Sequence, residues 1–448
     1  MYINFLSHGS ITPLQVAQRL QHAAGLVWLD SRQPQHPKGR FSFLGANPVE
    51  YIEHRASASA ATWTEALEPL DRAITQRASS TQQAVRVPQW IGYIAFDAAV
   101  QPWSRHCLDN SPLLYFARYP AVWGFDHHTN QVFIAGDDEK ACKTLARDTW
   151  QAPLLPCSSA SLSSLQSPQA QSHTVAIKQA LEHIRQGDIY QINLARCWQA
   201  ELQGSPLTLW RRMRQASPVP LGVYLQHLSN QYCLMAATME SFLDWQRPTQ
   251  QLSTSPIKGT LRNPEMLSHT RLAELFRQDI KEQAEHSMIV DLMRNDLGKV
   301  AQTGTVEVTQ LMNTEGYAHL AHLVSTVSCR TPATLTLREL LAATFPPGSI
   351  SGTPKHRALQ LIDQLEPIRR GAYTGCVGMV DHNGSLDLAV TIRSAELNHS
   401  QLCFYAGGGI VADSHIEREV AETELKGRFF FEAIQHLNMD ADEIHDRA

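Results

Sequence analysis

Residues 406–426 read AGGGIVADSHIEREVAETELK, and the way this run is folded governs where the chain can build a site. Three glycines lie between an apparent strand and a closing helix, HIEREVAETELKGRFFFEAIQHL. Glycine lets the backbone approach a ligand closely and offers N–H groups to an anion, although a bulge or tight turn explains such a run equally well. On the helix, Glu419 and Glu422 stand one turn apart with Lys426 a further turn on, so all three share a face. A solvated charged face has the same spacing, and a functional one needs a second helix opposite.

A partner of the right kind lies upstream. KEQAEHSMIVDLMRNDLGKV carries Glu282 and Glu285 one turn apart. Leu267, Leu272, Leu275, Phe276, Ile280, Met288 and Ile289 recur at roughly helical spacing, and Pro264 suits a first turn. One long helix is therefore expected from about Pro264 to Leu297. Should the two helices meet, opposed carboxylates suit magnesium, which takes few protein oxygens and keeps positions for water or an anionic substrate.

Between these landmarks runs TSPIKGT, residues 254–260, with Lys258 set between Pro256-Ile257 and Gly259-Thr260. A surface lysine beside a glycine turn is the ordinary reading, because lysine is almost never fully buried. FPPGSISGTPK, ending at Lys355, is another glycine-punctuated loop leading into a helix, and it lacks the GxxxxGK[ST] spacing of a phosphate-binding loop. In TGCVG the first glycine directly precedes Cys376, so the spacing of a nucleophile elbow fails and Cys376 reads as a strand residue.

Short alternating runs such as QWIGYIAF, NQVFIAGD, LGVYLQH and QYCLMAAT read as strands, and HNGS marks a hairpin. Strands and helices interleave without a regular βαβ beat. That favours an α+β fold with largely antiparallel sheet. The serine-, proline- and glutamine-rich stretch at 152–171 reads as a linker or surface loop, dividing an N-terminal region, 1–151, from a main domain, 172–448.

A formal net charge of −5 and the lack of a dense basic run argue against a nucleic-acid partner. No leader-like start or bilayer-length apolar run is evident, so a cytoplasmic protein without a membrane partner is expected. Eight scattered cysteines without a CxxC pair fit reduced thiols better than disulfides or zinc.

The motifs ATMESF, SPIKGT, AEHSMIVDLMRNDLGKV, HLVSTV, GSISGTPKHRA, RRGAYTGCVG, AVTIRS and AGGGIVADS, in that order, resemble the chorismate-utilising enzymes from about residue 172 onward. VWLDS, GRFSFLGANP and QWIGYIAFD resemble the N-terminal region of anthranilate and aminodeoxychorismate synthase large subunits. The resemblance implies two stacked, mainly antiparallel sheets flanked by helices, with Mg2+ and chorismate bound between the layers. It implies Glu285 and Glu422 as magnesium ligands, with Glu419 a close or water-mediated partner. Tyr373 and Arg393 would hold the enolpyruvyl carboxylate. Gly407, Gly408 and Gly409, with Gly259, Thr260 and Lys426, would cradle the ring carboxylate and its metal. Glu240 would protonate the departing hydroxyl, and His322 matches an active-site histidine.

Two positions bear on the reaction. Where water-using relatives carry a lysine base this chain has Gln191, and a neutral amide cannot take a proton from water. At the opening motif the chain reads Pro-Ile-Lys-Gly-Thr, the form found in aminodeoxychorismate synthases, where anthranilate synthases typically have alanine for lysine. Facing a closed, water-poor site, a lysine keeps less of its charge, and the neutral amine is the form that attacks carbon. The resemblance thus points to component I of an aminodeoxychorismate synthase, acting on chorismate and ammonia. No glutaminase signature is evident, so a glutamine amidotransferase subunit is implied as partner. Anthranilate synthase component I, or a non-catalytic chorismate-binding subunit, are the alternatives. Tryptophan in the N-terminal region is a further implied ligand.

Overall fold

The computed structural model describes residues 1–6, 11–56, 62–77, 85–101, 103–106, 112–168, 170–229, 231–262, 267–316, 320–435 and 437. Within them the chain forms an α+β fold of two sheets, one of twelve strands and one of ten, with every strand pairing antiparallel.

Alternation of side chains across a strand explains why the sheets stack. In Pro88–Ile94, Trp90 and Ile94 join one core cluster, while Ile91 and Tyr93 join another with Val27, Phe43, Val223 and Leu234 of the opposite sheet. This second cluster is the layer between the sheets. Helices cover the outer faces: Pro13–Leu20, Glu139–Gln151, Pro206–Ala216 and Ile416–Gln435 on the first sheet, with Ile280–Gly298 and Leu337–Thr344 on the second. No helix among the described residues is long and apolar enough to cross a membrane.

The first sheet runs, in spatial order, Tyr2–Phe5, Gln131–Gly136, Ala121–Asp126, Phe41–Gly45 and Val27–Asp30, then Leu221–Gln226 and Tyr232–Thr238. It continues through Ser394–Asn398, Gln401–Ile410, Gln191–Gly204 and Gly352–Thr353. Residues before 151 enter both sheets, since Val27–Asp30 pairs with Leu221–Gln226 and Pro88–Ile94 pairs with Cys376–Asp381.

Three local expectations change. The 152–171 stretch is not wholly a loop, because Ala160–Gln166 pairs with the far half of Gln191–Gly204, placing Leu162 opposite Leu202. The long helix is two helices, His269–Gln278 and Ile280–Gly298. Asp279 breaks them with φ −95° and ψ 86°, and its side chain caps the second by accepting from the Glu282 N–H. Pro264 lies outside the described residues. The glycine run belongs to the strand Gln401–Ile410 and not to a connection after it.

Candidate functional site

On the glycine strand, Gly409 stands opposite Asn193, Gly408 opposite Leu194 and Gly407 opposite Ala195. A turn is therefore not the reason for the three glycines. Space is. A Cβ on Gly409 would lie 2.7 Å from Lys258 Nζ and 3.0 Å from Gln191 Nε2. On Gly407 it would lie 2.9 Å from Asn193 Oδ1 and 3.0 Å from the Tyr373 hydroxyl. Gly408 faces the closing helix, where a Cβ would lie 3.6 Å from Glu419 Oε2 and 3.8 Å from Glu422 Oε1. One bare strand thus abuts the lysine, an amide, a tyrosine and two glutamates.

The opposing wall belongs to the second sheet. Lys258 lies on the strand Ile257–Arg262, and its Nζ sits 3.3 Å from Glu285 Oε2. Gly259 follows with φ +70°, a left-handed conformation that glycine tolerates, and the register shifts between Lys258 and Thr260. Thr260 pairs through its backbone with His322 on Leu320–Arg330. The buried His322 ring places Nδ1 2.9 Å from the Gly259 carbonyl. A carbonyl only accepts, so Nδ1 carries the proton and Nε2 the lone pair. Burial, then the nearby Arg393 charge, hold this imidazole down to about 4, and it is neutral at pH 7.

The two glutamate-bearing helices are linked through charge, Glu285 acting on Glu419 and Lys281 on Glu422. Glu285 is also 3.7 Å from Lys281, and Glu422 pairs with Lys426 at 2.6 Å. Lys426 in turn donates to the Gly407 carbonyl at 3.1 Å. Burial raises the Glu419 carboxyl, and the charges of Glu422 and Glu285 add to the rise. Its Oε2 is buried without a hydrogen-bond partner in the structure. That orphaned oxygen and the all-carboxylate donor set suit a hard cation. The carboxylates are nevertheless not drawn into a cluster: among the described residues no three acid, histidine or cysteine side chains gather closely enough to hold an ion.

Glu240, just past the strand Tyr232–Thr238, is buried, and its Oε1 accepts from Ser349 Oγ. Burial pushes this carboxyl up to about 7, against the downward pull of the Ser349 and Ile257 donors. The loop carrying Ser349 is itself pinned. Lys355 Nζ donates to the Thr344 and Pro346 carbonyls, both at 2.8 Å, and to Asp296.

Tyr373 lies flat on Tyr405, ring centroids 5.1 Å apart and 11° from parallel, and burial pushes its phenol above the ordinary range. It is therefore a hydrogen-bond donor at neutral pH. Arg393 donates to Ser217 Oγ at 3.1 Å and stands over the Phe429 ring. Both amide atoms of Gln191, and Asn193 Oδ1, are buried without a partner. Such atoms are costly to leave bare and are normally satisfied by a polar ligand or water.

The structure thus gathers Lys258, Glu285, Gln191 and Gly409 in one group, Glu419, Glu422 and Gly408 in a second, and Tyr373, Lys426 and Gly407 in a third. Asn193 and Ser349 were not singled out by the sequence. Asn193 follows Gln191 by two on one strand, so the alternation that exposes Gln191 to the site exposes it too. Ser349 carries no such signal beyond its place in a glycine-punctuated loop. In the N-terminal WLDS run, Asp30 is engaged by Arg214 at 2.8 and 3.2 Å, and Arg214 lies over Trp28.

The family description of chorismate binding enzymes matches residues 25–432. Anthranilate synthase component 1 of Arthrobacter globiformis is 41% identical over 259 residues, 57% of this chain and 48% of that protein. Aminodeoxychorismate synthase component 1 of Salmonella typhimurium is 39% identical over 247 residues, 55% of this chain and 54% of that protein. The chain thus spans about half the length of these relatives. The crystal structure of anthranilate synthase component I from Streptococcus pneumoniae superposes with a TM-score of 0.75 at 27% identity, covering 95% of this chain and 99% of that one.

Proposed function

The chain belongs to the chorismate-binding enzyme family, and from that premise we propose that it is component I of an aminodeoxychorismate synthase. It converts chorismate and ammonia to 4-amino-4-deoxychorismate and water. The observation that carries this reading is Lys258 Nζ, held beside Gly409 and Glu285 at the wall of the site.

The Lys258 amine attacks ring carbon two, the two conjugated ring double bonds both shift toward carbon four, and the hydroxyl there leaves as water with the Glu240 proton. Ammonia then adds at carbon four, both double bonds shift back, and the lysine nitrogen departs. The proton shed by lysine on attack is regained on departure, and the one lost by ammonia restores Glu240. Covalent catalysis divides one hard displacement into two easier ones. Tyr373 and Arg393 hold the enolpyruvyl carboxylate. Gly407 to Gly409, Thr260 and Lys426 line the place of the ring carboxylate. Glu285 and Glu422, with Glu419, would hold Mg2+, which when bound screens that carboxylate's charge. Ammonia comes from a glutamine amidotransferase subunit.

Lys258→Ala tests the reading with ammonium as nitrogen source. Loss of turnover in a folded variant is expected, and full activity would sink it. A second reading, anthranilate synthase component I, draws support from the comparisons: the 41% identical relative and the superposing crystal structure both carry that name. The two differ in product, since anthranilate forms directly whereas 4-aminobenzoate needs a separate lyase.

A further inference from the structure

Four consecutive backbone N–H groups, from Arg370 to Tyr373, reach two carboxylates, the last of them shared with the Arg370 carbonyl at 3.2 Å. Asp97 accepts from Arg370 at 3.2 Å and from Gly371 at 2.9 Å, one bond to each oxygen. Glu396 Oε1 accepts from Ala372 at 2.7 Å and from Tyr373 at 3.2 Å. Its other oxygen takes the Tyr232 hydroxyl at 2.8 Å. Asp97 is 2% exposed and Glu396 is partly buried.

Two acids converging on one four-residue turn are unfavourable in a poorly solvated interior unless their lone pairs are met. Here the backbone meets them, and the charge of Arg369 lies near both. The turn is shaped for the arrangement. Gly371 has φ +61°, and a Cβ there would lie 2.6 Å from both Glu396 oxygens. The Arg370 guanidinium spends all five N–H groups on Glu366, the Ile350 and Asn193 carbonyls and Thr374 Oγ1. That ties the turn to the Ser349 loop and to the Gln191 strand. The device ends at the Tyr373 ring, which is stacked on Tyr405 and whose hydroxyl comes within 3.0 Å of the Cβ position on Gly407.

We propose that Asp97 and Glu396 are positioning residues: by clamping the 370–373 backbone from two sides they fix Tyr373 for the substrate carboxylate, and so set affinity for chorismate. This rests on the reading that the cavity binds chorismate. Asp97 lies in the N-terminal region, far in sequence from the motifs that line the site, so the clamp also gives that region a direct part in substrate binding.

The test uses the full chain and four proteins: wild type, Glu396→Met, Glu396→Gln and Asp97→Asn. Glutamine keeps one carbonyl oxygen for the Ala372 and Tyr373 donors and can donate to the Tyr232 oxygen, whereas methionine keeps neither function. Glu396→Met should raise KM for chorismate about tenfold with kcat within about twofold, and Glu396→Gln should restore most of the affinity. Asp97→Asn, losing one of two acceptors, should raise KM a few-fold. Amide exchange at 370–373 in the unliganded chain should quicken in the same rank order. A folded Glu396→Met with unchanged KM, or with KM and kcat reduced together and no rescue by Gln, overturns the proposal. Where Glu396→Met does not fold, Asp97→Asn decides alone, and an unchanged KM there has the same meaning. Failure of wild type to bind chorismate in calorimetry would instead strike the functional reading, with amide exchange still reporting on the clamp.

Discussion

The two walls of the site are built on opposite terms. The first-sheet wall gives up side chains: Gly407 and Gly409 present bare backbone where a Cβ would press on Asn193 or Lys258, and Gly408 between them faces the glutamates of the closing helix at ordinary contact distance. The second-sheet wall and its neighbours supply the chemistry, with Lys258 on one strand, His322 on the next and Glu240 at a strand end. One wall makes room and the other acts. Their residues should therefore fail in different ways when changed.

Loss on the acting wall should be the larger. Lys258→Ala is expected to abolish ammonia-dependent turnover, and Glu240→Gln to lower kcat by about 10²–10⁴, the usual worth of a positioned proton donor. Glu240→Gln should leave thermal unfolding close to wild type, whereas Lys258→Ala removes a partner from the buried Glu285 and should lower it, so rates are read below each variant's melt.

On the bare wall, Gly409→Ala should cost little stability, because its methyl meets only the flexible ends of Lys258 (Nζ, 2.7 Å) and Gln191 (Nε2, 3.0 Å), but it should weaken chorismate affinity by displacing them. Gly408→Ala, with nothing nearer than 3.6 Å, should be far milder. Equal effects of the two substitutions in calorimetry with chorismate would break the contrast.

A smaller effect sharpens the role of Glu240. Its carboxyl is pushed up to about 7, so the protonated form needed to donate declines as pH rises through that value. At fixed free-ammonia concentration, kcat should fall on the alkaline side. Ser349 pulls this carboxyl down. Ser349→Ala should therefore move the descending limb to higher pH, and a limb that moves the other way or stays put counts against the assignment.

How much of this was legible in the sequence follows from the range of each signal. Interleaved strand and helix patterns gave the α+β class, and one-turn spacing gave the helical faces carrying Glu285, Glu419 and Glu422, because periodicity and turn chemistry are local, while the two stacked sheets came from the resemblance that motif order carries. The break at Asp279 was hidden because apolar spacing continues across it while a single capping carboxylate ends one helix and starts the next. Glycine composition pointed to the 407–409 run but not to its cause. A turn and a close approach use the same residue, and only the neighbours across the sheet tell them apart. Asp97 and Glu396 lay beyond sequence reasoning altogether, since their partners are main-chain N–H groups that carry no residue identity.

The central claim is that Lys258 directs nitrogen to carbon four of the chorismate ring. The direct measurement incubates the purified chain with chorismate, magnesium and ammonium at alkaline pH, with and without a purified aminodeoxychorismate lyase, and resolves the products by mass and chromatography. A lysine nucleophile predicts 4-aminobenzoate only in the sample holding the lyase. Appearance of 2-aminobenzoate without it would contradict the claim and make the chain an anthranilate synthase.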